Sequence, residues 1–264
     1  MKKESTISNK RYNVVRVYKL GTEYKIVAFK HSLVDVGTIH RKSVTKKQTK
    51  TDSNIIRAKS RIFELAMCNE WDFFGTFTIN ADKYNRADLK MFYKHFSKFI
   101  NNWSYRKGKI FYLLIPELHK DGENWHMHGL IKGLKREDLS RFVKGLHPDK
   151  LVKGNFLNWS AYSEKFGFCS LASVRNHEAV SKYITKYITK ELLSQSIKVG
   201  YHLYYVSHGL KGRELMIDCM LSDSDVFDFD YENEYVKIKS ITEKEVDSVL
   251  EYMQLETIGT LNIF

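Results

Sequence analysis

The sequence predicts an α+β fold: a central antiparallel β-sheet with helices packed on it. From residue 71 onward, hydrophobic periodicity gives the order strand–helix–strand–strand–helix–strand–helix. The hairpin in the middle of this order excludes a purely parallel sheet and favours an antiparallel one covered by helices on one face. With 264 residues, 43% of them apolar, the chain can bury a full core, and its two prolines argue against disorder.

The elements follow from local patterns. Alternating residues around Gly21 predict an N-terminal hairpin at 12–19 and 23–29, and the basic stretch 41–50 predicts an exposed loop. Asn54 is expected to cap a helix that runs to about residue 70. Further along the chain we expect strands at 71–79, 110–117, 124–131, 168–173, 201–207 and 214–220, and helices at 88–101, 138–146 and 176–193.

Charge divides the chain unevenly. Residues 1–213 carry 40 Lys and Arg against 18 Asp and Glu, whereas residues 214–264 carry 3 against 13. A basic body attracts nucleic acid and captures it quickly. We therefore expect three segments: the hairpin and basic loop (1–53) packed on a main domain (54–221), then an acidic extension (222–264). The extension is expected to hold a strand at 235–239, a helix at 243–252 and a final extended segment.

Cysteine spacing and the N-terminus limit the class of protein. The three cysteines, Cys68, Cys169 and Cys219, form no CxxC pair, which argues against a disulfide framework and a thiolate zinc site. The N-terminus lacks the apolar core of a signal peptide, and the longest apolar run is too short to span a bilayer. We expect a cytoplasmic protein without a membrane partner.

The most informative segment is residues 115–131, IPELHKDGENWHMHGLI. Asp121-Gly122 is a preferred pair for a two-residue type I′ turn. With these residues at the tip, Glu117 faces His126 across the hairpin, and His128 lies on the same face because side chains alternate. One carboxylate and two imidazoles then converge, leaving open positions for a substrate oxygen.

Such a donor set suits Mn²⁺, Mg²⁺ or Zn²⁺. A cation held by Glu117, His126 and His128 could bind a phosphate and stabilise the charge that develops as its ester bond breaks. His119 lies on the same face and is a weaker candidate, either as a fourth ligand or as a group that orients one. The alternative is a His-X-His pair that occurs on a strand by chance.

A second candidate site is the repeat YITKYITK at residues 183–190. Tyr183 and Tyr187 are four residues apart, so their hydroxyls share one helical stripe, with Lys186 and Lys190 on a flanking stripe. A free phenol, with a pKa of about 10, is a weak nucleophile, but a nearby ammonium or metal favours the phenolate. The alternative is a basic amphipathic helix whose tyrosines only pack at its boundary.

These segments resemble, in order and spacing, the three motifs of rolling-circle replication initiators of the HUH endonuclease superfamily. Residues 74–79 (FGTFTI) resemble the first motif, residues 125–131 (WHMHGLI) the His-hydrophobic-His metal signature, and residues 183–190 the catalytic-tyrosine helix. The paired tyrosines are similar to the two-tyrosine class of phage and plasmid initiators. Residues 207–211 (SHGLK) also resemble a segment downstream of the third motif.

The resemblance implies a ferredoxin-like nuclease fold and a metal-dependent enzyme that nicks and rejoins single-stranded DNA at an origin. Glu117, His126 and His128 would hold the divalent metal, with Mn²⁺ or Mg²⁺ expected. Tyr183 or Tyr187 would form a 5′-phosphotyrosine and leave a 3′-OH primer. The catalytic set is completed by Lys186 and Lys190, which would position the phosphate. Thr76 and Thr78 are interpreted as structural or DNA-facing.

The resemblance also bears on partners. The sequence contains no GxxxxGK[ST] phosphate loop, so an initiator of this kind would use a host helicase and polymerase in a bacterial cytoplasm. Three other functions remain open. One is a relaxase or transposase of the same superfamily, another is a non-catalytic DNA-binding regulator, and the third is a zinc hydrolase using His119, His126 and His128.

Overall fold

A computed structural model describes residues 13–30, 50–199, 201–221, 225–233 and 235–257. The predicted basic loop at 41–50 lies outside these residues except for Lys50, which is helical, and the final extended segment after residue 257 lies outside them too. None of the helices in the described part is long and apolar enough to cross a membrane.

Strands and helices are interspersed along the described residues, with the following bounds. The strands are β1 (Asn13–Leu20), β2 (Glu23–Phe29), β3 (Phe73–Thr78), β4 (Phe111–Leu118), β5 (Trp125–Lys132), β6 (Leu139–Arg141), β7 (Leu157–Trp159), β8 (Cys169–Ser173), β9 (Tyr205–Val206), β10 (Glu214–Leu221), β11 (Tyr231–Glu232) and β12 (Val236–Ile241). The α-helices are α1 (Lys50–Met67), α2 (Leu89–Lys107), α3 (Asp149–Lys153), α4 (Ser160–Lys165), α5 (His177–Ile184), α6 (Lys190–Val199) and α7 (Glu243–Leu255).

The described residues form two compact units, the first within residues 1–44 and 212–264 and the second within residues 45–211. In the first unit the strands form an antiparallel sheet in the order β10-β1-β2-β12-β11. Its core includes Val15, Val17 and Ile26 together with Val246 and Met253 of α7. This grouping differs from the three expected segments because β1 pairs with β10, and β2 with β12, across long stretches of chain.

The second unit contains a seven-stranded antiparallel sheet in the order β6-β7-β8-β3-β5-β4-β9. Both sheets confirm the predicted α+β class. The expectation of helices on one face is wrong for this sheet. On one face, Phe77 of β3 contacts Phe96 of α2 and Tyr162 of α4. On the other face, Phe74 of the same strand contacts Tyr183 of α5, with ring centroids 5.3 Å apart.

Most predicted elements of the second unit are confirmed. For example, α2 begins after its N-cap Asp88, whose side chain accepts a hydrogen bond from the Met91 amide. The predicted cap of α1 is wrong, since Asn54 lies inside a helix that begins at Lys50. The predicted helix at 138–146 is also wrong. Residues Arg136–Asp138 form a 3₁₀ turn and β6 follows, so this segment joins the sheet edge instead.

The predicted helix at 176–193 is interrupted. α5 ends at Ile184, a 3₁₀ turn covers Thr185–Tyr187, and α6 begins at Lys190. Ile184 and Ile188, on either side of this turn, are almost fully buried. The sequence reading missed α3, β7 and α4, because each is only three to six residues long and lacks a measurable period. Of the strand predicted at 201–207, only β9 is observed.

Candidate metal and tyrosine site

The β4–β5 hairpin sets the position of the candidate metal ligands. Glu117 pairs directly with His126, so the predicted register is confirmed. The predicted type I′ turn is wrong. The Gly122 amide donates to the His119 carbonyl at 2.9 Å, and of the Asp121-Gly122 pair only Gly122 has a positive φ, at 76°. The loop is longer than expected, but its ends still pair through the His119 amide and Asn124 carbonyl, so the register is unchanged.

Glu117, His126 and His128 converge on one point. Glu117 Oε2 lies 2.8 Å from His126 Nε2 and 2.7 Å from His128 Nε2. The ligand atoms of these three residues all lie within 4.8 Å of one another, close enough to hold a metal ion. His119 instead has its Nδ1 3.3 Å from Asp121 Oδ2, while its ring packs edge-on against His126.

The donor set fits a divalent cation. His128 Nε2 is buried, and its short contact with Glu117 does not have hydrogen-bond geometry, so this buried nitrogen is left for a ligand. Burial, followed by the neighbouring His126, lowers the pKa of His128 to about 4. A neutral imidazole is the form that binds a metal, so the ring is held ready for this role.

Thr76 of β3 orients His128 from the other side of the ring. The two residues are direct cross-strand partners, and Thr76 Oγ1 lies 3.1 Å from His128 Nδ1. When Nε2 is the ligand atom, Nδ1 carries the proton and donates it to the hydroxyl, which fixes the tautomer. The sequence reading missed this contact because it depends on the register between β3 and β5, strands that are far apart in the chain.

The two tyrosines reach the same face of the sheet. Tyr187 stacks on His128, with ring centroids 4.2 Å apart and planes 15° from parallel. Its hydroxyl donates to the Tyr183 hydroxyl at 3.3 Å. Phe74 packs against both tyrosine rings and supports the cluster from β3. The predicted shared stripe is therefore observed, even though Tyr183 lies in α5 and Tyr187 in the 3₁₀ turn that follows.

The environments of the two hydroxyls differ. Tyr183 is 45% exposed, whereas Tyr187 is 8% exposed. Hydrogen bonds from Lys186 and then from Tyr187 lower the pKa of Tyr183. Burial, and then its role as donor to Tyr183, raises the pKa of Tyr187 well above its ordinary value. Tyr183 is thus the hydroxyl that loses its proton more readily.

One lysine lies over both rings. Lys186 Nζ is 3.5 Å from the Tyr183 ring centroid and 4.9 Å from that of Tyr187. Lys190 is the first residue of α6, beyond the break in the helix, and lines a surface pocket together with Lys186 and Ile55. The two lysines thus border one pocket although the helix is interrupted between them.

A cavity of about 640 Å³ opens beside the cluster, between the sheet and α5. Its lining includes Thr76, His128, Tyr183 and Tyr187, so it is continuous with the candidate site. Another part of the cavity wall comes from α3 and Phe156, a segment whose structure was not predicted from the sequence.

The part of the chain that carries this cluster is similar to a known family. Residues 72–192 match the model of a replication-associated protein family, that of the ORF2 and gene II proteins. The match runs from β3 into the first turn of α6 and includes every residue of the metal and tyrosine cluster. It supports a role in the initiation of DNA replication and in DNA binding there. No curated protein and no solved structure shows a significant match to the chain.

Proposed function

We propose that this chain is a rolling-circle replication initiator that nicks and rejoins single-stranded DNA at an origin through a covalent 5′-phosphotyrosine. One observation carries the proposal: the Tyr183 and Tyr187 hydroxyls lie on the sheet face that bears Glu117, His126 and His128, with Tyr187 stacked on His128. A nucleophile beside a phosphate-binding cation is an arrangement that favours phosphodiester transfer.

The side chains Glu117, His126 and His128 would hold Mn²⁺ or Mg²⁺. When bound, the ion supplies Lewis-acid stabilisation of the charge that develops on the phosphate. Thr76 keeps the His128 tautomer, and the hairpin keeps the carboxylate and both imidazoles at a fixed separation. Because these contacts exist within strands of one sheet, little reorganisation accompanies the reaction.

In the proposed step, Tyr183 Oη forms a bond to phosphorus and the bond from phosphorus to the 3′-oxygen breaks. The leaving oxygen takes up a proton and becomes the 3′-OH primer, while the 5′-phosphate stays on the tyrosine. Lys186 favours the phenolate before attack. The ester is preserved in the intermediate, so attack by a 3′-OH on phosphotyrosine reverses the step and rejoins the strands.

Tyr183 is proposed to act first because it is the more exposed hydroxyl and the one with the lowered pKa. Tyr187 serves as hydrogen-bond donor to it in that step. Once Tyr183 carries DNA, Tyr187 is proposed to act in a second cleavage that ends a round. A host helicase and polymerase are the proposed further partners, in a bacterial cytoplasm.

The test is an adduct assay with the full chain. Labelled single-stranded fragments of the replicon that encodes it are incubated with Mn²⁺ and run on a denaturing protein gel. We expect a covalent band that EDTA abolishes, that the Tyr183→Phe/Tyr187→Phe double variant lacks, and that Tyr105→Phe retains. Tyr105 is a matched control because it is 92% exposed in α2, away from the cluster.

Retained DNA binding without any adduct, for every fragment and with Mn²⁺ or Mg²⁺, would refute the nicking reaction. The non-catalytic regulator would then be the better description. An adduct that survives in the double tyrosine variant would contradict the assignment of the nucleophile while leaving a covalent mechanism in place.

A further inference from the structure

The cavity beside the tyrosines has a polar floor that continues the metal site. Antiparallel pairing places Ser170, Thr76 and His128 in one row across β8, β3 and β5. All three residues line the cavity, and Ser170 is buried. A molecule that rests on this floor therefore lies directly beside His128 and the Tyr187 ring stacked on it.

The walls are apolar and the rim is basic. Phe156 and Leu151 line the cavity from the α3 side, and Val180 lines it from α5. Lys150 and Arg175 also line it, and both are exposed. Apolar walls with a few polar groups suit a flat heterocycle, while exposed cations suit the phosphates attached to it.

We propose that this cavity binds one unstacked nucleobase of the DNA strand, next to the phosphate that is cleaved. The inference rests on the proposed function. Tyr183, Tyr187 and His128 belong both to the cavity lining and to the reacting cluster. A phosphate held at that cluster carries its neighbouring nucleoside toward the cavity, because only one sugar separates phosphate from base.

The cavity is large enough to hold a nucleobase. A volume of about 640 Å³ lies within the range of about 300–1,000 Å³ that small-molecule sites occupy. A peptide helix, with a diameter of about 10 Å, would need a long groove instead. Stacking of a base on a half-buried aromatic ring such as Phe156 is tolerant of sequence, whereas the polar floor can discriminate between bases.

The test uses photo-crosslinking, which needs no cleavage. The full chain is mixed with single-stranded oligonucleotides that carry 5-iodouracil at scattered positions, irradiated, and mapped by mass spectrometry. We expect adducts on the cavity aromatics Phe74, Phe156 or Tyr183. Phe156→Ala should weaken binding of the same oligonucleotides at least about fivefold, the lower end of the range for loss of base stacking.

Two filling variants, Ala179→Leu from α5 and Ala172→Leu from β8, should abolish crosslinking in the cavity without adding a new photo-acceptor. Glu178→Leu places the same side chain on the neighbouring exposed position of α5 and should leave crosslinking in the cavity unchanged. Thermal unfolding of each variant establishes that it folds. Crosslinks only outside the cavity, or crosslinks that both filled variants retain, would overturn the proposal.

The two proposals fail separately. Cavity crosslinks without a covalent adduct on any replicon fragment would keep the base pocket and reject nicking. A Tyr183 adduct with crosslinks elsewhere would keep nicking and reject the pocket.

Discussion

Tyr187 stacks on His128 while its hydroxyl donates to that of Tyr183, so one side chain connects a candidate metal ligand to the candidate nucleophile. The ring is buried and contributes packing, whereas the hydroxyl contributes a single hydrogen bond. These two contributions can be separated by substitution, because phenylalanine keeps the ring and alanine removes both.

We expect Tyr187→Phe to fold normally and to slow formation of the Tyr183 adduct by about fivefold, since one hydrogen bond is worth about 1 kcal/mol. Tyr187→Ala should lower the free energy of unfolding by about 3 kcal/mol as well, because it leaves a cavity beside His128. Single-turnover adduct assays and chemical denaturation check the two effects. Equal stability of the two variants would contradict a packing role for the ring.

Thr76 is expected to tune metal affinity through His128. Thr76→Val preserves the shape of the side chain but removes the oxygen 3.1 Å from Nδ1, so Mn²⁺ binding should weaken by about 10- to 100-fold. Thr76→Ser retains the hydroxyl and serves as the control. Calorimetric titration with Mn²⁺ measures both, and identical affinities for the valine and serine variants would exclude the contact as a positioning interaction.

Metal binding should stabilise the fold. At an Mn²⁺ concentration of about 100 times the dissociation constant, the free energy of unfolding should rise by about 2.7 kcal/mol, and Glu117→Gln should lose this gain. Glu123→Gln, in the exposed hairpin loop, is the matched control. Denaturation with and without EDTA gives the comparison. A gain that persists in Glu117→Gln would place the ion elsewhere.

Lys186 should set the pH dependence of the reaction. The pKa of Tyr183 is lowered, so its phenolate is present at a pH below the ordinary phenol value of about 10. Lys186→Gln removes the main cause, so the adduct rate should rise only at higher pH than in the wild type. Lys182 is an exposed lysine on α5 that pairs with Glu178, and Lys182→Gln should leave the pH dependence of the adduct rate unchanged.

Gly129 follows the His-Met-His motif because two strands approach closely there. A Cβ at Gly129 would lie 2.3 Å from the Leu113 carbonyl oxygen of β4. Gly129→Ala should therefore destabilise the protein by at least about 2 kcal/mol and disturb the hairpin that carries Glu117. Lys132→Ala, at the end of the same strand, removes only a surface ion pair with Glu70 and should have little effect. Urea denaturation distinguishes the two.

The sequence by itself determined the α+β class, the register that joins Glu117 to His126, and the shared stripe of Tyr183 and Tyr187. Each of these depends on local periodicity or on a short hairpin, where neighbours in sequence are neighbours in space. The register was predicted correctly although the turn type was not, because the longer loop closes on the same pair of residues.

The tertiary structure alone decided the contacts between distant segments. The pairing of β3 with β5 placed Thr76 on His128, and the packing of α5 on the sheet placed Tyr187 there too. The break between α5 and α6 and the cavity wall formed by α3 and Phe156 were likewise not predicted from the sequence. Such contacts depend on which surfaces meet in the folded chain, and no single segment encodes that choice.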